Sequence, residues 1–368
     1  VAKDLFDIKG EVTGVGNPTW VATHKPANKN AEVVDKLLSA GAMLIGKSCT
    51  DEFAFSVDGI NIHYGAPLNS QYPDRISGGS SSGSASAVAA GLVSFALGTD
   101  TGGSSRIPAS YCGIHGFRPT HGFISTEGVA PLAPLLDTVG VLAANGLVLQ
   151  EVVTLLLKNS APTLDPTRKL KLLLAEDAFE MTDPSIRPGL EAAVAKIQKS
   201  FNSTEKIRLS DFGWHDYFEV YRLYQARQAW ETYGEWITHN KANISPAIME
   251  RFDYAKNVPD EKYNHVVKVV STLKDAFSRL LKGNTVLCFP TTWHLPPLLD
   301  SNDDVLWKNR VENMKLTSIS PLLGTPEVSI PIKIKSGKRS GLSFMAAAGK
   351  DTLLLDLVQK PSFITAGA

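Results

Sequence analysis

Ser77-Gly78-Gly79-Ser80-Ser81-Ser82-Gly83-Ser84 opens a run of small and apolar residues that closes in Gly98-Thr99-Asp100-Thr101-Gly102-Gly103-Ser104-Ser105-Arg106. The stretch between the two loops, from Ser84 to Leu97, reads as one tightly packed buried helix, with Gly91 allowing close contact. Gly/Ser runs are common in flexible linkers. A linker, however, does not sit at both ends of an apolar helix, nor carry Asp100 and Arg106 beside it. The glycines are better read as letting backbone amides approach a ligand or an oxyanion.

Working outward, helix-like and strand-like segments alternate. Ala31, Val34, Leu37 and Leu38 recur at helical spacing, Gly41 stops the run, and residues 42–46 read as a short apolar strand. Later strands are expected at residues 286–289, 328–332 and 342–345, and helices at 188–201, 217–237, 259–281 and 308–319. Lys333 to Arg339 reads as a strand end and turn. Strands alternating with helices predict a single α/β/α domain with a large mixed, mostly parallel sheet covered on both faces. Its organisation would be a core over residues 1–145, a helical and strand-bearing second half over 146–360, and a short tail at 361–368. The helical stretch from Tyr217 is rich in aromatics, which fits either a layer facing the core or a cap over a substrate.

Composition narrows the function. The chain has 368 residues, 43% of them hydrophobic, enough for a buried core rather than disorder. Its 37 Lys+Arg balance 37 Asp+Glu, so the basic footprint of a nucleic-acid binder is missing. No apolar run approaches the ~18 residues of a membrane span. Cys49, Cys112 and Cys288 are far apart and odd in number, which suits free thiols in a reducing compartment; a cytoplasmic location is expected, with the nucleus as an alternative. The eight histidines are dispersed without a zinc-binding spacing, so neither metal nor cofactor is expected. The start, Val1-Ala2-Lys3-Asp4, reads as the interior of a longer polypeptide.

The serines admit three readings. Gly79-Ser80-Ser81-Ser82-Gly83 satisfies the G-x-S-x-G nucleophile elbow with Ser81 as nucleophile, but the approach through Pro73, Asp74 and Arg75 makes a poor strand. Ser271-Thr272-Leu273-Lys274 matches S-x-x-K, with Lys335-Ser336-Gly337 imitating the third motif of that class; it lies inside a polar helical pattern and lacks the middle motif. In the third reading the two Gly/Ser loops act together with Lys3.

That third set resembles the amidase signature family. The residues concerned are Lys3 to Gly10, Gly78 to Ser84, Gly98 to Gly113, Gly116-Phe117-Arg118-Pro119-Thr120-His121-Gly122 and Leu136-Asp137-Thr138-Val139-Gly140. Within the family the wording of Lys3–Gly10 and Ser104–Gly122 is similar to the plant enzymes that hydrolyse indole-3-acetamide to indole-3-acetic acid. The resemblance implies a Ser–cis-Ser–Lys triad: Ser104 as nucleophile, Ser80, 24 positions earlier, as the cis-peptide relay, and Lys3 as base. It also implies an oxyanion hole from backbone N–H groups of Thr101, Gly102, Gly103 and Ser104, and a substrate wall at Ala54 and Phe55. Chemically the set is coherent, because a serine hydroxyl needs an adjacent base and a lysine can be one only when burial keeps it neutral.

The implied partner is a small-molecule amide, cleaved to acid and ammonia through an acyl-serine. A general aliphatic or fatty-acid amidase remains an alternative. So does a catalytically silent docking protein, as the family includes an amidase-like receptor subunit of chloroplast import that lacks the nucleophile. Asp100 and Arg106 are expected to form a buried pair that rigidifies the nucleophile loop. Ser105 departs from the family, which usually has Val or Ile there.

Overall fold

The computed structural model describes residues 1–157, 169–334 and 337–367. Among these, ten strands form one sheet: β1 (Ala2–Lys3), β2 (Lys47–Ser48), β3 (Phe95–Asp100), β4 (His115–Arg118), β5 (Thr138–Ala143), β6 (Lys171–Ala175), β7 (Ser203–Ile207), β8 (Thr285–Pro290), β9 (Glu327–Lys333) and β10 (Arg339–Ala346). Their spatial order is β2-β1-β3-β5-β4-β9-β10-β8-β6-β7. Parallel pairing is confined to the two ends, β2-β1-β3 and β8-β6-β7, and the pairs between are antiparallel. The sheet is therefore mixed, as expected, but parallel pairs do not predominate. The antiparallel centre runs from β3 through β5, β4, β9 and β10 to β8.

Helices cover both faces, and the strand residues alternate between two cores. Val286 and Cys288 join one apolar cluster with Phe344 and Ala346, while Leu287 and Phe289 join another with Met345. Burial on both sides is why these strands read as unbroken apolar runs. The apolar run at residues 42–46 is not a strand; pairing starts only at Lys47, where β2 meets β1 (Ala2 opposite Lys47).

Around the diagnostic loops one expectation needs correction. The buried helix spans Ser82–Ala89 and does not run on to Leu97. Gly91 adopts a left-handed φ of 72°, open to glycine, and the chain turns there into β3. Thus β3, which carries Thr99 and Asp100, lies directly against β1, which carries Lys3, with Ala2 opposite Leu97. Residues 158–168, 335–336 and 368 lie outside the described residues, so the imitated third motif at Lys335-Ser336 is not part of this description.

The segment Arg106–Cys112 is a short helix packed flat on the sheet, and glycines in β4 and β5 make room for it. A Cβ at Gly140 would stand 2.0 Å from Ser105 Oγ and 2.7 Å from Ser105 Cβ. Gly140→Ala is therefore expected to overpack this contact by about 1–3 kcal/mol and to lower the thermal midpoint by several degrees; an unchanged melting curve would show that the helix can lift without cost.

Candidate active site

Lys3 is fully buried in β1 between two strands, and its ammonium has two acceptors. Nζ donates to Ser80 Oγ at 2.8 Å and to Thr99 Oγ1 at 2.7 Å. Burial pushes Lys3 from its usual 10.5 down to about 7, while Asp51, Asp100 and Asp137 hold it from falling further. Asp51, also buried, is pushed by burial up to about 6, against the N–H of Gly59 and the charge of Lys3.

Ser80 is reached through a cis Gly79–Ser80 peptide immediately before the helix Ser82–Ala89. The loop that carries it touches the second loop directly: Ser81 N donates to Ser104 O at 3.1 Å. Lys3 is thereby bonded to Ser80, and the loop of Ser80 to the backbone of Ser104, which lies 101 residues after Lys3 in the chain. Ser81 is different. Its hydroxyl donates to Thr99 O and accepts Thr99 N, both at 3.2 Å, which locks it as a bridge to β3 rather than an exposed elbow. Ser271 and Lys274 are exposed on the helix Asp260–Leu280, remote from any such cluster.

The oxyanion donors need one correction. Gly103 N already donates to Asp100 Oδ1 at 2.9 Å, and Ser105 N donates to Asp100 Oδ2 at 3.2 Å. Asp100 ends β3 and collects the amides of the loop that follows it. Among the described residues the amides of Thr101, Gly102 and Ser104 meet no protein acceptor. The loop is also fixed from outside, because Thr317 Oγ1 donates to Gly102 O at 2.6 Å. Gly102 must be glycine: a Cβ there would stand 2.2 Å from the Tyr221 hydroxyl and 2.7 Å from Met314 Cε.

Asp100 and Arg106 form the expected buried pair, within a larger network. Arg106 Nε and Nη2 donate to Asp100 at 2.9 and 2.8 Å, and its Nη1 donates to Glu327 at 2.7 Å. Arg118 Nη1 lies 3.3 Å from the same Asp100 carboxylate. Burial alone would raise Asp100; the two arginines instead bring it down to about 2. Ser105, the family departure, uses its hydroxyl to bond Thr99 O at 3.0 Å.

Ala54 and Phe55 lie on two sides of this loop. Ala54 adopts a positive φ of 55° and lines a small crevice with Thr99, Thr101 and Asp137. Phe55 lines a cavity of about 560 Å³ with Phe218, Tyr221, Trp307 and Met314. Tyr221 and Met314, which line this cavity, also stand beside Gly102. Sequence reading names Tyr221 only as one aromatic of its helical stretch and does not single out Thr99, Met314 or Thr317. Thr99 could have been suspected from its place two residues before Thr101; the others come from helices far along the chain.

Comparison with known proteins accords with this architecture. The family model described as Amidase matches residues 1–355. The chain is 38% identical to Amidase 1 of Arabidopsis thaliana, over 97% of this chain and 90% of that protein. It is 32% identical to Translocon at the outer membrane of chloroplasts 64 of Pisum sativum, covering 97% of this chain and 64% of that one. A solved amidase structure superposes with a TM-score of 0.86 at 26% identity, over 99% of this chain and 83% of the other.

Because Asp100 is held near 2, below its usual 3.8, its contribution to stability is complete above pH 4 and is lost as the pH falls toward 2. Asp100→Asn is expected to cost about 3–5 kcal/mol in denaturant unfolding, since it leaves Arg106 and Arg118 short of a buried counter-charge. A loss below about 1 kcal/mol would mean that Glu327 alone satisfies both. The chain belongs to the amidase signature family of amide-hydrolysing enzymes.

Proposed function

We propose that this chain hydrolyses a linear primary amide through an acyl-enzyme on Ser104, with Ser80 as proton relay and Lys3 as base. The observation that carries the reading is the buried Lys3 amine 2.8 Å from Ser80 Oγ, on a loop bonded to the Ser104 backbone. A neutral amine still donates to Thr99 Oγ1 and offers its lone pair to the Ser80 hydroxyl. Lys3 takes the proton of Ser80 as Ser80 takes that of Ser104, and Ser104 Oγ attacks the amide carbon. In this reading the amides of Thr101, Gly102 and Ser104, which meet no acceptor among the described residues, hold the negative oxygen. The C–N bond breaks as the proton returns along the same path to the departing ammonia. Water then repeats the sequence on the ester and releases the acid.

For the acyl group, the aromatic and apolar wall of Phe55, Phe218, Trp307 and Met314 suits a flat apolar body such as indole-acetyl. The likeness to the plant indole-3-acetamide hydrolases, and the similarity to Amidase 1 of Arabidopsis thaliana, support indole-3-acetamide as the first substrate to assay. The presence of Ser104 in a chain whose Lys3 and Ser80 are hydrogen-bonded favours an enzyme over a silent docking protein.

Ammonia release from indole-3-acetamide, beside a short aliphatic amide, tests the reading. Ser104→Ala is expected to abolish turnover. Ser80→Ala should lower kcat by orders of magnitude, toward the residual of about 10³–10⁴ over water that triad knockouts retain. Ser81→Ala removes a structural bridge of about 0.5–1.5 kcal/mol per bond and should keep most of the rate. A dead Ser81→Ala beside an active Ser104→Ala would overturn the assignment in favour of the elbow.

The base works only when unprotonated, so kcat/KM is expected to rise tenfold per pH unit below about 7 and to level above it. In Lys3→Ala that limb should vanish along with most of the rate. Retention of the limb in a partly active Lys3→Ala protein would point to another base.

A further inference from the structure

One buried acid beside Lys3 has no part in the reaction as described. Asp51 follows β2, which pairs Ser48 with Lys3, and it is closed to solvent. Its side chain lies against the loop that carries the relay serine. A Cβ added at Gly79 would stand 2.6 Å from Asp51 Oδ1 and 2.5 Å from Oδ2, so both oxygens face the residue before Ser80, and glycine lets them come that close. The main chain ties the same segments together: Asp51 N donates to Ser80 O at 3.4 Å, and Gly79 N donates to Val57 O at 2.8 Å. Asp51 Oδ2 accepts the N–H of Gly59 at 3.0 Å, while Oδ1 has no partner among the described residues.

The other acids whose charge reaches Lys3 are already committed. Asp100 serves Arg106 at 2.8 and 2.9 Å and the amides of Gly103 and Ser105. Asp137 accepts Thr101 Oγ1 at 2.6 Å and the N–H groups of Leu132 and Ala133. Asp4, next to Lys3, pairs with Lys47. Glu52, next to Asp51, turns to Asn17, His63 and the Ser245 N–H. Asp51 itself is faced by Lys3 on β1, by Asp58 in the loop that follows, and by Arg251 and Arg310 on the helices Pro246–Lys256 and Asp303–Thr317. Cys49, on its own segment, is a thiol that burial pushes up. Of Asp51, Asp100 and Asp137, only Asp51 keeps a buried oxygen unspent.

We propose that Asp51 is the counter-charge of the ammonium that Lys3 becomes during acylation and deacylation, a positioning residue that acts through space on the base. The proposal deepens the triad reading and rests on it for the identity of that base. The Lys3 lone pair takes the proton of Ser80, Ser80 takes that of Ser104, and Ser104 Oγ bonds to the amide carbon. A negative oxygen then stands at one end of the path and a positive Lys3 at the other, until the proton returns to the departing ammonia. A carboxylate held near Nζ but not on it favours that charge without keeping the resting amine protonated, as a direct ion pair would. Burial pushes Asp51 up to about 6, so it is ionised where Lys3, at about 7, gives up its proton.

Asp51→Asn keeps an acceptor for Gly59 and removes the charge. In a nuclear magnetic resonance titration of the labelled Lys3 side chain, its midpoint is expected to fall by about one pH unit, and the acidic limb of kcat/KM to move with it. A weaker base is a slower one, so above pH 7 the rate should drop about 3–10-fold. The two profiles should converge as the pH falls through about 6, where Asp51 of the unmodified chain takes up its own proton. A merely structural loss would lower the rate by one factor at every pH. The coupling is reciprocal, so Lys3→Met should raise the midpoint of the Asp51 carboxyl carbon by the same amount; that measurement needs neither turnover nor Asp51→Asn. An unmoved Lys3 midpoint in Asp51→Asn, an unmoved Asp51 midpoint in Lys3→Met, or a loss of rate independent of pH would overturn the proposal. Failure of the triad reading shows separately, as a Lys3→Ala protein that keeps its acidic limb.

Discussion

A lysine without access to water, held by two hydroxyl groups, sets the conditions that the rest of the site must meet. Among the described residues Nζ of Lys3 bonds only Ser80 and Thr99, and no carboxylate touches it directly. Its nearest negative charges, Asp51, Asp100 and Asp137, act through space and moderate the cost of burial without cancelling it. A direct ion pair would have returned the amine toward its ordinary value and left it charged at neutral pH. The strand geometry prevents that. β1 is two residues long and wedged between β2 and β3, so Lys3 faces a floor of hydroxyl groups rather than an acid.

The molecule treats its other buried charges in the opposite way. Asp100, Arg106, Arg118 and Glu327 are all closed to solvent and knit β3, β4, β9 and the helix Arg106–Cys112 into one unit. Such a network adds little net stability over apolar packing, yet removing one member is costly. Its use here is positional. By drawing the Gly103 and Ser105 amides onto Asp100, it fixes the curve of the loop, while the amides of Thr101, Gly102 and Ser104 have no acceptor among the described residues. Rigid paired charges thus frame a loop whose remaining amides are left unpaired among the described residues.

Sequence disclosed much of this because two kinds of signal are local. The doubled Gly/Ser loops are compositional outliers, and the family resemblance carried by their wording singled out Ser80, Ser104 and Lys3 as candidates. β8, β9 and β10 were legible because both faces are buried, which leaves continuous apolar runs. Less survived where structure is made by pairing alone. β1 and β2 are two residues each and carry no period. β7 is a polar edge strand, Ser-Thr-Glu-Lys-Ile, whose backbone bonds rather than its side chains define it. The helix Pro246–Lys256 did announce itself, by Ser245-Pro246 and the spacing of Ile248, Phe252 and Ala255, but went unread. The dominance of antiparallel pairing at the centre was not in any single segment. Tyr221 and Met314 read as members of an aromatic-rich and a polar helix; only the packing of those two helices brings both beside Gly102.

The central claim is that Lys3 is a neutral amine in the working protein. Nuclear magnetic resonance titration of lysine labelled at the side-chain carbon and nitrogen, with the Lys3 signal assigned by its loss in Lys3→Met, measures this directly. A midpoint near 7, well separated from the other lysines, is the predicted result. A Lys3 signal that titrates with the others near 10.5 would contradict the account, because a permanently charged lysine cannot accept the proton of Ser80.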